Sequence, residues 1–158
     1  MVRKVCGFTF IELMITLVIM GVLATIAVPM IELTVQRNKE RELRNTLMQI
    51  REALDAYKRA SDQGQIPLKI GESGYPRSLL DLVEGVTDAK SPQKQKIYFL
   101  RRLPRDPMNP DGDLSPEESW GKRSYKSPPD APVDGEDVFD VYSLSSAIGI
   151  NGVPYKEW

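Results

Sequence analysis

The hydrophobic and polar positions divide the first sixty residues into two halves. Residues 8–31 form an uncharged, mainly apolar run that is interrupted by one carboxylate, Glu12. At about 1.5 Å per residue, a helix over this run is roughly 36 Å long. Because a bilayer core is about 30 Å thick, the run predicts one tilted membrane-spanning helix.

The second half, residues 32–60, is amphipathic. Its apolar residues recur at spacings of four and three, which places them on one face of a helix. These residues are Leu43, Leu47, Ile50, Leu54 and Tyr57. We therefore predict a single helix from Phe8 to about Ala60, its first half against lipid or sister helices and its second against a sheet. Pro29 removes a backbone donor and is predicted to kink this helix, because the apolar pattern continues beyond it. Residues 61–64 are predicted to end the helix.

Residues 61–158 alternate short apolar stretches with loops rich in proline and glycine. β-Branched and aromatic residues predict strands, and a proline near the start of a leucine-rich stretch predicts a short helix. The predicted elements are a loop over 66–74, a helix over Tyr75–Val83, strands within Lys96–Leu100, Trp120–Lys126 and Val138–Ser143, and a short edge at Tyr155–Trp158. A few strands on one face of a long helix predict an α+β head.

Composition excludes several classes of function. The 158 residues carry a net charge of −1 without a basic stripe, so nucleic acid is not a predicted partner. There is no histidine, which excludes Ser-His triads and histidine metal sites, and Cys6 is the only cysteine. No two carboxylates have a spacing that indicates acid–base chemistry, so we do not predict an enzyme.

Glu12 is the unusual residue of the apolar run. An ionised carboxylate within a membrane helix costs about 2.5–3.5 kcal/mol on insertion scales, so it usually has a partner. No lysine or arginine lies between Lys4 and Arg37. If the chain were cut after Gly7, the new amine of Phe8 would lie one helical turn before Glu12, on the same chain or a neighbour. Alternatively, Glu12 reaches water at the membrane interface without a partner.

The stretch Gly7-Phe8-Thr9-Phe10-Ile11-Glu12 resembles the processing site of type IV prepilins and of type II secretion pseudopilins. The resemblance implies that a prepilin peptidase removes the basic leader 1–7 after Gly7, and that Phe8 becomes N-methylated. It also implies that Glu12 acts in subunit assembly and that Pro29 is the family's helix-kinking proline. A conventional signal-peptide cut after Ala27 is the rival, but Glu12 would interrupt its apolar region.

Three stretches of the head also resemble major pseudopilins. They are Tyr75–Val83, Leu103-Pro104-Arg105-Asp106-Pro107 and Val138-Phe139-Asp140-Val141-Tyr142-Ser143. The implied fold is type IV pilin-like and α+β, with a long kinked N-terminal helix packed against a small antiparallel β-sheet head. The implied organisation is a leader (1–7), a transmembrane and filament-core half-helix (8–31), an amphipathic half-helix (32–60) and a globular periplasmic head (61–158).

The function implied by the resemblance is that of a structural subunit of a type II secretion pseudopilus, a filament acting as a piston in protein export. The implied partners are further copies of the chain, other pseudopilins, the prepilin peptidase, and an inner-membrane assembly platform with its ATPase. Basic residues Arg3 and Lys4 before the span, with Glu32 after it, predict a cytoplasmic N-terminus and an exported head. The resemblance implies that the membrane is a bacterial inner membrane.

Two other functions fit parts of the sequence. A type IV pilin of a surface fibre or a DNA-uptake pilus would share the architecture, although many such pilins close the head with a disulfide. Without Cys6, the mature chain has no cysteine. A signal-anchored periplasmic domain would need neither a cut at Gly7 nor a polymer.

An acidic cluster near the last predicted strand indicates a calcium site, because calcium prefers hard oxygen ligands. Its residues are Asp130, Asp134, Glu136, Asp137 and Asp140. Major pseudopilins, which this chain resembles, bind calcium in the loop after that strand. Here, however, no carboxylate lies between Asp140 and Glu157. We therefore predict no metal ligands and no cofactor, and interpret the cluster as a solvated loop.

Overall fold

The computed structural model describes residues 7–158, apart from the side chains of Ile26, Val28 and Pro29. The first six residues of the predicted leader lie outside the described residues. The chain divides into two compact units, the first ending at Asn38 and the second comprising Lys39–Trp158.

The long helix α1 spans Phe10–Asp62 and is helical through position 29. It begins two residues later than predicted, because Thr9 takes the capping position before the first turn. The kink at Pro29 stays a prediction.

The apolar side chains of α1 that are described between Phe10 and Val35 are all exposed. By length and composition, α1 can cross a membrane, and none of its most apolar stretch is buried against the rest of the chain. The helix surface of this unit is therefore apolar and exposed.

In the second unit, the predicted apolar stripe of α1 is buried. Leu43, Leu47, Ile50 and Leu54 form the core with residues from the head. The head contributes chiefly Leu79, Leu82, Leu100, Trp120, Val138, Val141 and Tyr155. One face of the helix is therefore buried against the head from Leu43 onward.

The end of α1 lies where the stop signal predicted it. Gly64 has a positive φ of 73° and donates from its N–H to the carbonyl of Ser61, while Gln65 donates to that of Ala60. This pair of bonds is a Schellman motif, which satisfies the last carbonyls of the helix and needs glycine at the left-handed position.

The strands form two separate two-stranded antiparallel sheets. Strand β1 (Val86–Thr87) pairs with β2 (Lys96–Ile97). Strand β3 (Trp120–Arg123) pairs with β4 (Asp140–Ser143), with Trp120 opposite Ser143 and Gly121 opposite Tyr142. The helix and the small sheets confirm the α+β class.

All three predicted strands are longer than the observed β2, β3 and β4. Beyond β3, the N–H of Ser124 donates to the carbonyl of Val133, which turns the chain away from β4. Before β4, the N–H of Val138 donates to the carbonyl of Pro76. These bonds lead to other segments, so the ladder is confined to four residues in each strand.

Two other local predictions were wrong. The helix predicted over Tyr75–Val83 is reduced to α2 (Asp81–Glu84), because the carboxylate of Asp81 accepts from the N–H groups of Arg77 and Ser78 and holds that stretch as a turn. The edge predicted at Tyr155–Trp158 contains a 3-10 helix, Tyr155–Glu157, in which Glu157 donates to the carbonyl of Pro154.

Candidate functional site

The predicted cleavage site lies in an exposed segment before the first turn of α1. Phe8 and Phe10 are 79% and 82% exposed. A Cβ added at Gly7 would meet no heavy atom within 4 Å. Among residues 7–158, no packing contact therefore shields the peptide bond between Gly7 and Phe8 from a peptidase.

Glu12 forms a reciprocal pair with Thr9 at the start of α1. The N–H of Thr9 donates to Oε2 of Glu12 at 3.4 Å, and the N–H of Glu12 donates to Oγ1 of Thr9 at 3.3 Å. This capping box satisfies two backbone donors at the helix start. The sequence reasoning missed Thr9, although threonine followed by glutamate at the third position is the signal of such a box.

The capping box fixes where the Glu12 carboxylate is presented. Both of its hydrogen-bond partners belong to the first turn, and the residue is exposed. In the part of the chain that the structure describes, Glu12 takes part in no salt bridge. The carboxylate is therefore accessible to a cation from outside the chain.

Residues 2–28 match the family described as the prokaryotic N-terminal methylation motif. Proteins named "Type II secretion system core protein G" are similar over most of the chain. The one from Aeromonas hydrophila is 33% identical over 125 residues, covering 76% of this chain and 79% of that protein. The one from Pseudomonas aeruginosa is 30% identical over 149 residues, covering 91% and 85%.

The chain belongs to the type II secretion core protein G family. Its likeness to the Dickeya chrysanthemi member extends over 96% of this chain and 95% of that protein, at 26% identity. No solved structure gave a significant match. The family consists of structural pseudopilin subunits, and the methylation motif lies at the N-terminus where the capping box is found.

In this chain, two of the acidic residues considered as calcium ligands have other partners. Asp140 pairs through Oδ1 with Arg51 at 2.8 Å and through Oδ2 with Arg123 at 3.2 Å. Asp137 accepts from the Ser124 hydroxyl at 2.6 Å. Within residues 7–158, no three aspartate, glutamate, cysteine or histidine side chains are grouped as a metal site would require. The structure does not bring the acidic cluster together.

Proposed function

We propose that this chain is processed after Gly7, methylated at Phe8, and assembled as a structural, non-enzymatic subunit of a type II secretion pseudopilus. The observation that carries the proposal is the exposed apolar first half of α1, which begins with an accessible carboxylate.

An exposed apolar surface of this length is expected to be buried against lipid or protein. Monomeric soluble proteins rarely expose large contiguous apolar patches, and such patches mark membrane or protein contacts. A lipid bilayer covers the helix before assembly, and the helices of other copies cover it in a filament. The same helix surface therefore contacts lipid in the membrane and other subunits in the filament.

Glu12 supplies the specificity of assembly. Its charge is costly in a low-dielectric surrounding unless a cation neutralises it. Processing after Gly7 creates an α-amine on Phe8, which an adjoining copy presents to Glu12. The pairing favours one axial position of a new subunit over others, whereas apolar contacts alone are non-directional.

The proposed orientation follows from charge on either side of the span. Arg3 and Lys4 keep the N-terminus in the cytoplasm, and the head lies in the periplasm. The prepilin peptidase, the assembly platform and its ATPase act on the cytoplasmic and membrane side. Addition of subunits from below then pushes the filament outward as a piston.

Mass spectrometry of the protein purified from membranes tests this function. The expected N-terminus is N-methylated Phe8, without residues 1–7. The expected product of a Gly7→Val variant is the uncut precursor, although Gly7 makes no packing contact that the substitution would disturb. An exported, active protein that retains Arg3 and Lys4 would contradict the proposal and favour a signal-anchored monomer.

A further inference from the structure

The last fifteen residues, 144–158, form a segment that crosses back to α1; we call it the C-terminal segment. The carboxylate of Glu40 is 7% exposed and receives two hydrogen bonds from this segment. The N–H of Ile150 donates to Oε1 at 2.7 Å, and the hydroxyl of Tyr155 donates to the same oxygen at 2.9 Å. One buried acid of the helix therefore holds two points of the segment.

Arg51 holds the end of the same segment. Its Nη2 donates to the main-chain oxygen of Trp158 at 2.9 Å and to that of Val141 at 3.3 Å, while its Nε donates to Asp140 at 2.8 Å. One guanidinium thus gathers oxygens from the last strand and from the C-terminal segment. The guanidinium thus places a positive charge beside these oxygens.

Arg44 adds a third contact. Its guanidinium lies 4.4 Å from the centroid of the Trp158 ring, in cation–π geometry. The Trp158 ring also contacts Tyr155, at a centroid distance of 5.1 Å and an interplanar angle of 72°. Trp158 therefore contacts both a helix side chain and a side chain of its own segment.

These three residues lie on one face of α1. At about 100° per residue, Arg44 and Arg51 are displaced from Glu40 by roughly 40° and 20° around the axis. They border the buried stripe that contains Leu47. The C-terminal segment therefore contacts α1 beside the face that packs into the core.

Between Asp140 and Glu157, the chain offers calcium no carboxylate. Calcium takes six to eight oxygens, of which carboxylates are the usual charged members. Asn151 Oδ1 accepts from the N–H of Val153 at 3.1 Å, and Ser145 Oγ accepts from that of Ala147 at 3.3 Å. The nearest preceding carboxylate, Asp140, faces Arg51 and Arg123. A further cation there would meet two positive charges.

We propose that Glu40, Arg44 and Arg51 hold the C-terminal segment against α1 without a metal ion. Arg51 supplies the positive charge that a bound cation would otherwise supply. The head then folds and keeps its stability in the absence of calcium. The proposal concerns the closure of the head and does not depend on the filament function.

Thermal unfolding of the full-length mature protein in detergent micelles tests the proposal, with calcium chloride in one sample and excess EGTA in the other. The expected midpoints are equal, and calorimetric titration with calcium shows no saturable binding. A higher midpoint in calcium, or saturable binding, would overturn the proposal without the need for any variant.

Variants of Arg51 then test its contacts with the C-terminal segment. Arg51→Met is expected to lower the midpoint by roughly 4 °C or more, to speed hydrogen exchange in residues 144–158, and to gain nothing from calcium. Arg51→Lys keeps the charge and is expected to lower the unfolding midpoint less. Arg41→Met, at an exposed position of the same helix, is the matched control and is expected to behave as wild type. Unchanged hydrogen exchange of residues 144–158 in Arg51→Met would refute the proposal. Recovery of the wild-type midpoint by this variant in calcium would also refute it.

Discussion

Ser143 donates a 2.5 Å hydrogen bond from its hydroxyl to Oδ2 of Asp106, and the two residues are 0% and 3% exposed. The other oxygen of Asp106 accepts from the N–H of Met108 at 2.8 Å. The backbone N–H of Asp106 donates to the hydroxyl of Ser119 at 3.2 Å. A single buried residue therefore joins the turn that follows Leu103 to the end of β4.

Replacing Asp106 is expected to destabilise the head. Asp106→Ala leaves the Ser143 hydroxyl and the Met108 N–H without their acceptor, at a cost of about 2–3 kcal/mol in the free energy of unfolding. Asp106→Asn keeps one acceptor and is expected to cost less. Urea unfolding measures both, with the exposed Asp113→Ala as the control. Equal stability of Asp106→Ala and the control would show that this junction does not stabilise the head.

Position 121 leaves no room for a side chain, because the ring of Tyr142 lies against the backbone there. A Cβ at this position would lie 2.3 Å from Cε2 of Tyr142, its partner on β4. Gly121→Ala is therefore expected to cost about 1–3 kcal/mol through overpacking. The same substitution in a Tyr142→Ala background is expected to cost much less, because the obstructing ring is gone. A double-mutant cycle by urea unfolding measures this coupling, and additive effects would contradict the geometry.

Asp137 makes the head sensitive to acid. Burial raises the pKa of this carboxyl, but hydrogen bonds from the hydroxyls of Ser124 and Ser73 and from the N–H of Tyr125 outweigh burial and lower the pKa below its usual value. A lowered folded-state pKa means that the ionised form contributes stability above about pH 4, the ordinary value of an aspartate. This contribution is lost as the pH falls through the folded-state pKa.

Ser124→Ala tests that sensitivity, since it removes a 2.6 Å hydrogen bond to the carboxylate. The variant is expected to be less stable than wild type near neutral pH, and the difference is expected to shrink as the pH is lowered to about 3. Urea midpoints across this range measure the effect. Ser127→Ala, in the same loop, is the control, because its hydroxyl bonds main-chain groups instead. A difference that is independent of pH would contradict the assignment to Asp137.

The sequence predicted the features that repeat along the chain and missed those that depend on distant partners. Leu43, Leu47 and Ile50 could be assigned to the core because helical periodicity is local. Strand β1 has two residues and therefore no period to detect. The carbonyl of Pro76 accepts from the N–H of Val138, and the C-terminal segment is bonded to Glu40, which lies 115 positions before Tyr155.

At the candidate site, the sequence predicted the apolar run and the singular position of Glu12. The role of Thr9 was also readable, because the capping pattern Thr-x-x-Glu is local. It was missed because Glu12 was considered only as a charge in need of a cation. The structure shows that the same side chain also caps the helix.

This double role determines how the assembly claim must be tested. Glu12→Ala removes both the charge and the cap, so its failure to assemble would be ambiguous. Glu12→Gln keeps a side chain that can complete a capping box and removes only the charge. Thr9→Val does the reverse, since it removes the hydroxyl that accepts from Glu12 and keeps the carboxylate.

The yield of filaments sedimented from lysed cells expressing Glu12→Gln is the most direct measurement, with mass spectrometry to establish that Phe8 is exposed and methylated. We predict normal processing, normal membrane insertion and no filaments for Glu12→Gln, and filaments for Thr9→Val. Wild-type filament yield from Glu12→Gln would contradict pairing of this carboxylate with the amine of an adjoining copy.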